Sequence, residues 1–168
     1  MERRATEIEQ DFLEQTTRHQ AVIHKICRIY ADSPEDRRDL FQEILYQLWR
    51  GYPSFQGKSA FSTWMYQIAL NTAITSLRKQ TRKPQHVQWE EGLSGQPASG
   101  QSLERRRQLQ ELYRAIRSLG RIDRALVMLY LEDLSYREMA EVMGLSENNI
   151  GVRLNRIRAR LQDLIRQP

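Results

Sequence analysis

Asn149, Arg153, Arg156 and Arg160 recur at helical spacing, so a helix would carry them on one stripe. Asparagine can hold the edge of adenine by two hydrogen bonds and arginine the edge of guanine, which suits a DNA major groove. Asn148, Val152 and Asn155 run beside this stripe, and Ile150, Leu154, Ile157 and Leu161 form a narrow apolar one nearly opposite. The N-terminal end of such a helix meets base edges. That gives Asn148, Asn149, Val152 and Arg153 to bases, and Arg156 and Arg160 to phosphates. Arg158 falls near the buried flank and reads as structural. Gly151, in the helix interior, is unusual, since it costs about 1 kcal/mol there relative to alanine. A second stripe of Asn71, Thr75, Arg78 and Arg82 continues from Trp64. A flat aromatic beside phosphate-binding cations suits an unstacked single strand.

Covalent chemistry is not encoded in the same way. His24 and Cys27 have the spacing of a ligand pair, with His19 nearby, but two ligands do not close a metal site. They read as a surface histidine and a packed thiol. No glycine-rich phosphate loop or nucleophile motif is present, so no enzyme activity, metal or cofactor is expected.

The groove-reading stripe needs a helix-turn-helix to present it, and the residues before it supply one. Ser135 and Glu138 form a capping box, Ala140 is small enough for a second helix to cross, and Gly144 suits the tight turn. Leu145 plugs the turn and Ser146 caps the next helix. Helices are expected over about 135–143 and 147–166, preceded by one bearing Leu109, Leu112, Tyr113, Ile116 and Leu119 and one bearing Ile122, Leu126, Leu129 and Tyr130.

The first half shows three more helical patterns, over about 8–31, 34–49 and 59–81. Ser33-Pro34 marks the start of the second, as an N-cap followed by proline at the first helical position. Between the halves, residues 83–102 hold Pro84, Gly92, Gly95, Pro97 and Gly100 with few branched apolar side chains, and read as a flexible linker. Alternating strand patterns are absent. The expectation is an all-α chain of two small helical domains, 1–82 and 104–168, joined by a flexible linker over 83–103.

Charge follows the same division. The 168 residues carry 26 Lys+Arg against 21 Asp+Glu, a formal +5, and most of the excess lies after residue 100. Arg78 to Lys83 is a purely cationic run, whereas Asp32, Glu35, Asp36, Asp39 and Glu43 make an acidic patch. Two basic strips point to nucleic acid and the acidic patch to a protein partner. One cysteine, no long apolar run and no signal-peptide core argue against secreted, disulfide-stapled and membrane-inserted classes, so a cytoplasmic protein is expected.

Three segments of the first half, with the helix-turn-helix, carry a family resemblance. They are Asp39-Leu40-Phe41-Gln42-Glu43-Ile44 ending in Leu48-Trp49-Arg50, the loop Phe55-Gln56-Gly57-Lys58-Ser59-Ala60, and Phe61-Ser62-Thr63-Trp64 through Asn71 to Arg78. Together they resemble the bacterial RNA polymerase sigma factors of the small extracytoplasmic-function (ECF) type. The resemblance implies a region 2-like domain that recognises and helps melt the −10 promoter element, and a region 4-like domain that reads the −35 element. It implies docking of Asp39, Gln42 and Glu43, supported by Leu45 and Trp49, on the β′ clamp helices of core polymerase, with the β flap as a further partner. It places −10 contacts at Ser54, Phe55, Gln56, Lys58, Ser59 and Ser62, where the loop would capture a flipped base. It adds Tyr136, Arg137 and Ser146 to the −35 contacts, and relatives are often held inactive by an anti-sigma factor. Leu119-Gly120 stands where Leu-Pro is common in the family, and Gly151 and Asn155 where basic or hydroxylated residues are common. A stand-alone helix-turn-helix regulator is the alternative, but it leaves the Asp39–Ile44 motif and the aromatic third helix unexplained.

Overall fold

The computed structural model describes residues 2–55, 57–80 and 102–166. Residues 83–101 of the expected linker, with Gln56 and Arg82, therefore lie outside the described residues, while Ser102 and Leu103 belong to the start of a helix. Among the described residues seven α-helices follow in order: α1 (Glu2–Tyr30), α2 (Pro34–Gly51), α3 (Phe61–Gln80), α4 (Leu103–Arg117), α5 (Arg121–Leu131), α6 (Tyr136–Met143) and α7 (Glu147–Arg166). A 3-10 turn, Tyr52–Ser54, leads from α2 into the loop before α3. No strand occurs among the described residues, and none of their helices is long and apolar enough to cross a membrane.

Local signals set most boundaries. Ser33 Oγ accepts from the Asp36 N–H at 3.0 Å, with Pro34 in the first turn, as the start of α2 requires. Helix α4 begins well before the apolar periodicity that announces it. Ser102 caps it by accepting from the Arg105 N–H at 3.3 Å, and its first turns carry a polar, exposed run. An exposed first turn needs only a cap, so apolar spacing is blind to it.

Helices α1, α2 and α3 pack around Ile23, Ile26, Ile44, Leu48, Met65 and Leu70, all fully buried. In the second half Ile116, Leu126, Met128, Leu129 and Met139 do the same. The sequence leaves open how the halves meet. Here α4 and α5 pack on α1, and α5 and α6 on α3, so the buried apolar residues form one continuous cluster.

Polar bonds cross that junction where α1 ends. A helix C-terminus leaves carbonyl oxygens without helical partners and attracts cations. Arg37 of α2 donates to the Ala31 and Asp32 carbonyls at 3.1 and 2.9 Å. Arg117 of α4 donates to the Arg28 carbonyl at 3.3 Å, and Arg124 of α5 to that of Ile29 at 3.2 Å. Arg124 also reaches the carbonyls of Leu119 and Arg117, so one guanidinium joins α1 to the α4–α5 turn. Burial holds the Arg124 and Arg37 side chains below the usual arginine value. Nearby, Tyr30 donates its hydroxyl to the Arg121 carbonyl at 2.6 Å, Lys25 pairs with Glu132 at 2.5 Å, and Arg28 lies over the Tyr113 ring.

Arg124→Ala is expected to lower the unfolding free energy in urea by about 2–3 kcal/mol, because it strips a charged donor from part-buried carbonyls. Arg124→Lys should recover little of this, since one ammonium cannot reach the carbonyls of Ile29, Arg117 and Leu119 together.

Candidate nucleic-acid and docking interfaces

The helix-turn-helix is built as its sequence demands. Ser135 Oγ accepts from the Glu138 N–H at 3.3 Å, while the Glu138 carboxylate accepts from the Ser135 N–H and hydroxyl at 2.8 and 2.7 Å. Gly144 ends α6 in the left-handed region at φ 64°, and Ser146 Oγ accepts from the Asn149 N–H at 3.2 Å to start α7. Ile150, Leu154 and Ile157 are buried and Leu161 is partly so. The polar stripe is thereby turned to solvent.

On that outer face Asn148, Asn149, Val152, Arg156 and Arg160 are exposed, as are Tyr136 and Arg137 at the start of α6. Ser146 is placed there too, but its hydroxyl is engaged by the cap. Arg153 is half-buried: its Nε donates to Asn149 Oδ1 and its Nη1 to Asp123 Oδ1, both at 3.2 Å. Gly151 faces the Tyr136 ring, but a Cβ there would sit 3.4 Å from it, an ordinary van der Waals distance, so space does not require glycine at this position. Arg158 stands apart from the stripe with its guanidinium over the Tyr130 ring at 4.9 Å, in keeping with a structural role.

The loop before α3 is held by aromatic packing. Phe55 and Phe61 flank it and pack on Trp64 at ring distances of 5.0 and 5.5 Å, with Tyr52 beneath. Tyr52 in turn donates to the Asp11 carboxylate, and burial together with that bond pushes its phenol up to about 12. Gly57 turns the loop at φ 65°. Lys58 is exposed, Ser59 and Ser62 are half-buried, and Ser54 donates to the Gly51 carbonyl at 2.7 Å. Trp64 belongs to this cluster, half-buried, and its indole lies against Gly51, where a Cβ would come within 3.1 Å. Asn71, Thr75 and Arg78 are exposed on the stripe expected for them.

A cavity of about 370 Å³ opens beside Asn71, lined also by Gln47, Arg50, Gly51, Ile68 and Thr72. It has the size for one nucleobase, with amide, hydroxyl and guanidinium groups around an isoleucine side chain. Sequence reasoning missed Gln47, Arg50 and Thr72, because the cavity joins two helices whose approach no local pattern reveals.

Helix α2 buries Leu40, Ile44 and Leu48 and turns Asp39, Gln42, Glu43, Tyr46, Trp49 and Arg50 outward. Leu45, expected to support this face, is half-buried against the core. Tyr46, 58% exposed, was also missed, although it continues the stripe one turn after Gln42 and Glu43. Trp49 is braced edge-on by Phe12 at 5.0 Å and keeps 39% of its surface exposed. The face is acidic at one end and aromatic at the other.

His24 stacks on Phe41 at 4.3 Å, and the buried Cys27 thiol is pushed up to about 12 by desolvation. Among the described residues no group of His, Cys, Asp and Glu could hold a metal.

Comparison with known proteins bears on both halves. Residues 16–83 match the family description Sigma-70 region 2, and residues 109–161 match Sigma-70, region 4. The ECF RNA polymerase sigma-E factor of Escherichia coli K12 is 31% identical over 165 residues, which cover 89% of this chain and 86% of that protein. The ECF RNA polymerase sigma factor SigG of Mycobacterium tuberculosis is 36% identical over 99 residues, 57% of this chain but only 25% of SigG. Among solved structures, the sigma factor RpoE in complex with the anti-sigma factor NepR from Bartonella quintana superposes with a TM-score of 0.75 at 25% identity, covering 94% and 98% of the two chains. CnrH, solved with the cytosolic domain of CnrY, shares the fold at a TM-score of 0.69 and 20% identity, covering 94% of this chain and 88% of its own.

The capping box yields a pH prediction. Hydrogen bonds from the Ser135 hydroxyl and N–H hold the Glu138 carboxyl below its ordinary 4.5. A carboxyl lowered on folding stabilises above its unfolded value and loses that contribution as pH falls through the folded one. Glu138→Gln should therefore melt at a lower temperature than the wild type at neutral pH, and the gap should close as pH falls below 4.5.

Proposed function

The chain belongs to the ECF sigma factors of bacterial RNA polymerase, and from that premise we propose that it docks on core polymerase through α2 and directs it to promoters read at two elements. Residues 1–82 form the region 2-like part, 83–103 the linker and 104–168 the region 4-like part. The observation that carries the reading is the outward face of α2, where Asp39, Gln42 and Glu43 are exposed over a fully packed inner face. An acidic and aromatic stripe on a rigid helix suits a basic protein partner, the clamp helices of β′. Leu45 supports the stripe from beneath, and Trp49 with Tyr46 would supply the apolar contact.

The −10 element then falls to the loop and α3. Lys58 and Arg78 would meet phosphates, and Asn71 with Gln47 would bond the edge of a base extruded into the cavity beside them. Single-strand capture of that kind favours the melted promoter over the duplex. The −35 element falls to α7, with Asn148, Asn149, Val152 and Arg153 toward bases and Arg156, Arg160, Tyr136 and Arg137 toward the backbone.

Geometry adds a requirement. Two elements about 25 base pairs apart lie about 85 Å apart on a duplex, whereas a compact chain of this length has a radius of gyration of about 15 Å. The halves must part before both elements are engaged. The stretch 83–101 would provide the length, about 65 Å if fully extended. The α2 docking face and the outer stripe of α7 are already exposed while the halves are packed, so polymerase can dock first. An anti-sigma factor is the regulator this reading expects, by likeness to the Bartonella quintana complex.

Mixing the chain with bacterial core RNA polymerase should give stable co-elution on size exclusion. The double variant Asp39→Ala, Glu43→Ala should be lost from the complex while keeping the wild-type helical content. A wild-type chain that stays apart from a core able to bind another sigma factor would sink the proposal.

A further inference from the structure

We propose that Asp123 is a positioning residue for promoter reading, holding the Arg153 guanidinium at the orientation in which its free end meets guanine in the major groove. The inference rests on the reading of α7 as the helix that enters the groove. Asp123 stands in the first turn of α5, outside the helix-turn-helix, and nothing in the local pattern of α7 points to it. Its Oδ1 accepts from Arg153 Nη1 at 3.2 Å, and Asn149 Oδ1 accepts from Arg153 Nε at the same distance. Two acceptors on different elements fix the plane of a rigid fork.

Of the five N–H donors of a guanidinium, both hydrogens of Nη2 and one of Nη1 remain available. That is the two-donor end that guanine O6 and N7 take. Without Asp123 the arginine would sweep many rotamers and lose that freedom on meeting a base; the carboxylate removes the cost beforehand.

The pair is not placed for stability. Its side chains are 39% and 30% exposed, and ion pairs so exposed contribute little. It also sets Arg153 apart from its neighbours. Arg156 and Arg160 make no ion pair among the described residues and keep their full charge for phosphates. Arg153, partly neutralised by Asp123, is a weaker phosphate ligand and is biased toward base edges.

The test uses the full chain assembled with bacterial core RNA polymerase, on promoter fragments randomised across the −35 element, with the bound sequences counted. The wild type should enrich guanine at one position, and Arg153→Ala should abolish that preference. Asp123→Ala should reduce it roughly tenfold at the same position and leave the others unchanged. Asp123→Ala retaining a preference that Arg153→Ala loses would overturn the positioning role and leave the reading of α7 intact. Arg153→Ala changing no position would show instead that Arg153 does not read the groove, and the proposal would fall with that reading. A uniform loss across all positions in Asp123→Ala, with a lowered melting temperature of the free chain, would make Asp123 structural and also overturn it.

Discussion

The last turn of α1 ends in carbonyl oxygens that no further turn can satisfy, and arginines from three other helices meet them. Arg37 fixes the corner into α2, and Arg117 and Arg124 bring the second half of the chain to the same point. The negative end of a long helix is a favourable place for positive charge. It therefore joins the halves by polar bonds where the apolar cluster alone would leave their orientation loose. Because these bonds are made to backbone atoms, they require the helix to end where it does and not any particular side chain there.

Around that junction each working helix divides its surface in one way. An apolar stripe is buried, and the opposite stripe is left to a partner. Helix α2 packs Leu40, Ile44 and Leu48 inward and presents acid and aromatic groups outward. Helix α7 packs Ile150, Leu154 and Ile157 and presents amides and guanidiniums. The burial that stabilises the fold thus orients the recognition surface, and a change on the inner stripe reaches the outer one without touching it. The loop before α3 obeys a different rule. It has no helical hydrogen bonds to hold it, so Phe55, Phe61, Trp64 and Tyr52 supply rigidity by ring packing.

Much of the fold was legible from residues close in sequence. The Ser135–Glu138 box, Gly144 in the left-handed region and the Ser33–Pro34 start all appear as their types demand. The limits lie where contacts are distant. The exposed start of α4 carries no apolar spacing to read. Gly151 remains a helix-interior glycine whose neighbour, the Tyr136 ring, would leave room for a Cβ at ordinary contact distance. The packing of Trp64 against Gly51 and Phe55 joins residues from α2, the loop and α3, which no local pattern announces.

Sequence by itself determined the helices, their inner and outer faces, and the membership of the chain in a family, because caps and periodicity act over a few residues. Only the tertiary structure decided that Arg124 would meet the end of α1, that Gln47 and Asn71 would share a cavity, and that Asp123 would hold Arg153. Those pairings depend on how helices cross. Crossing is set by the summed packing of side chains far apart in the chain, which no local pattern records.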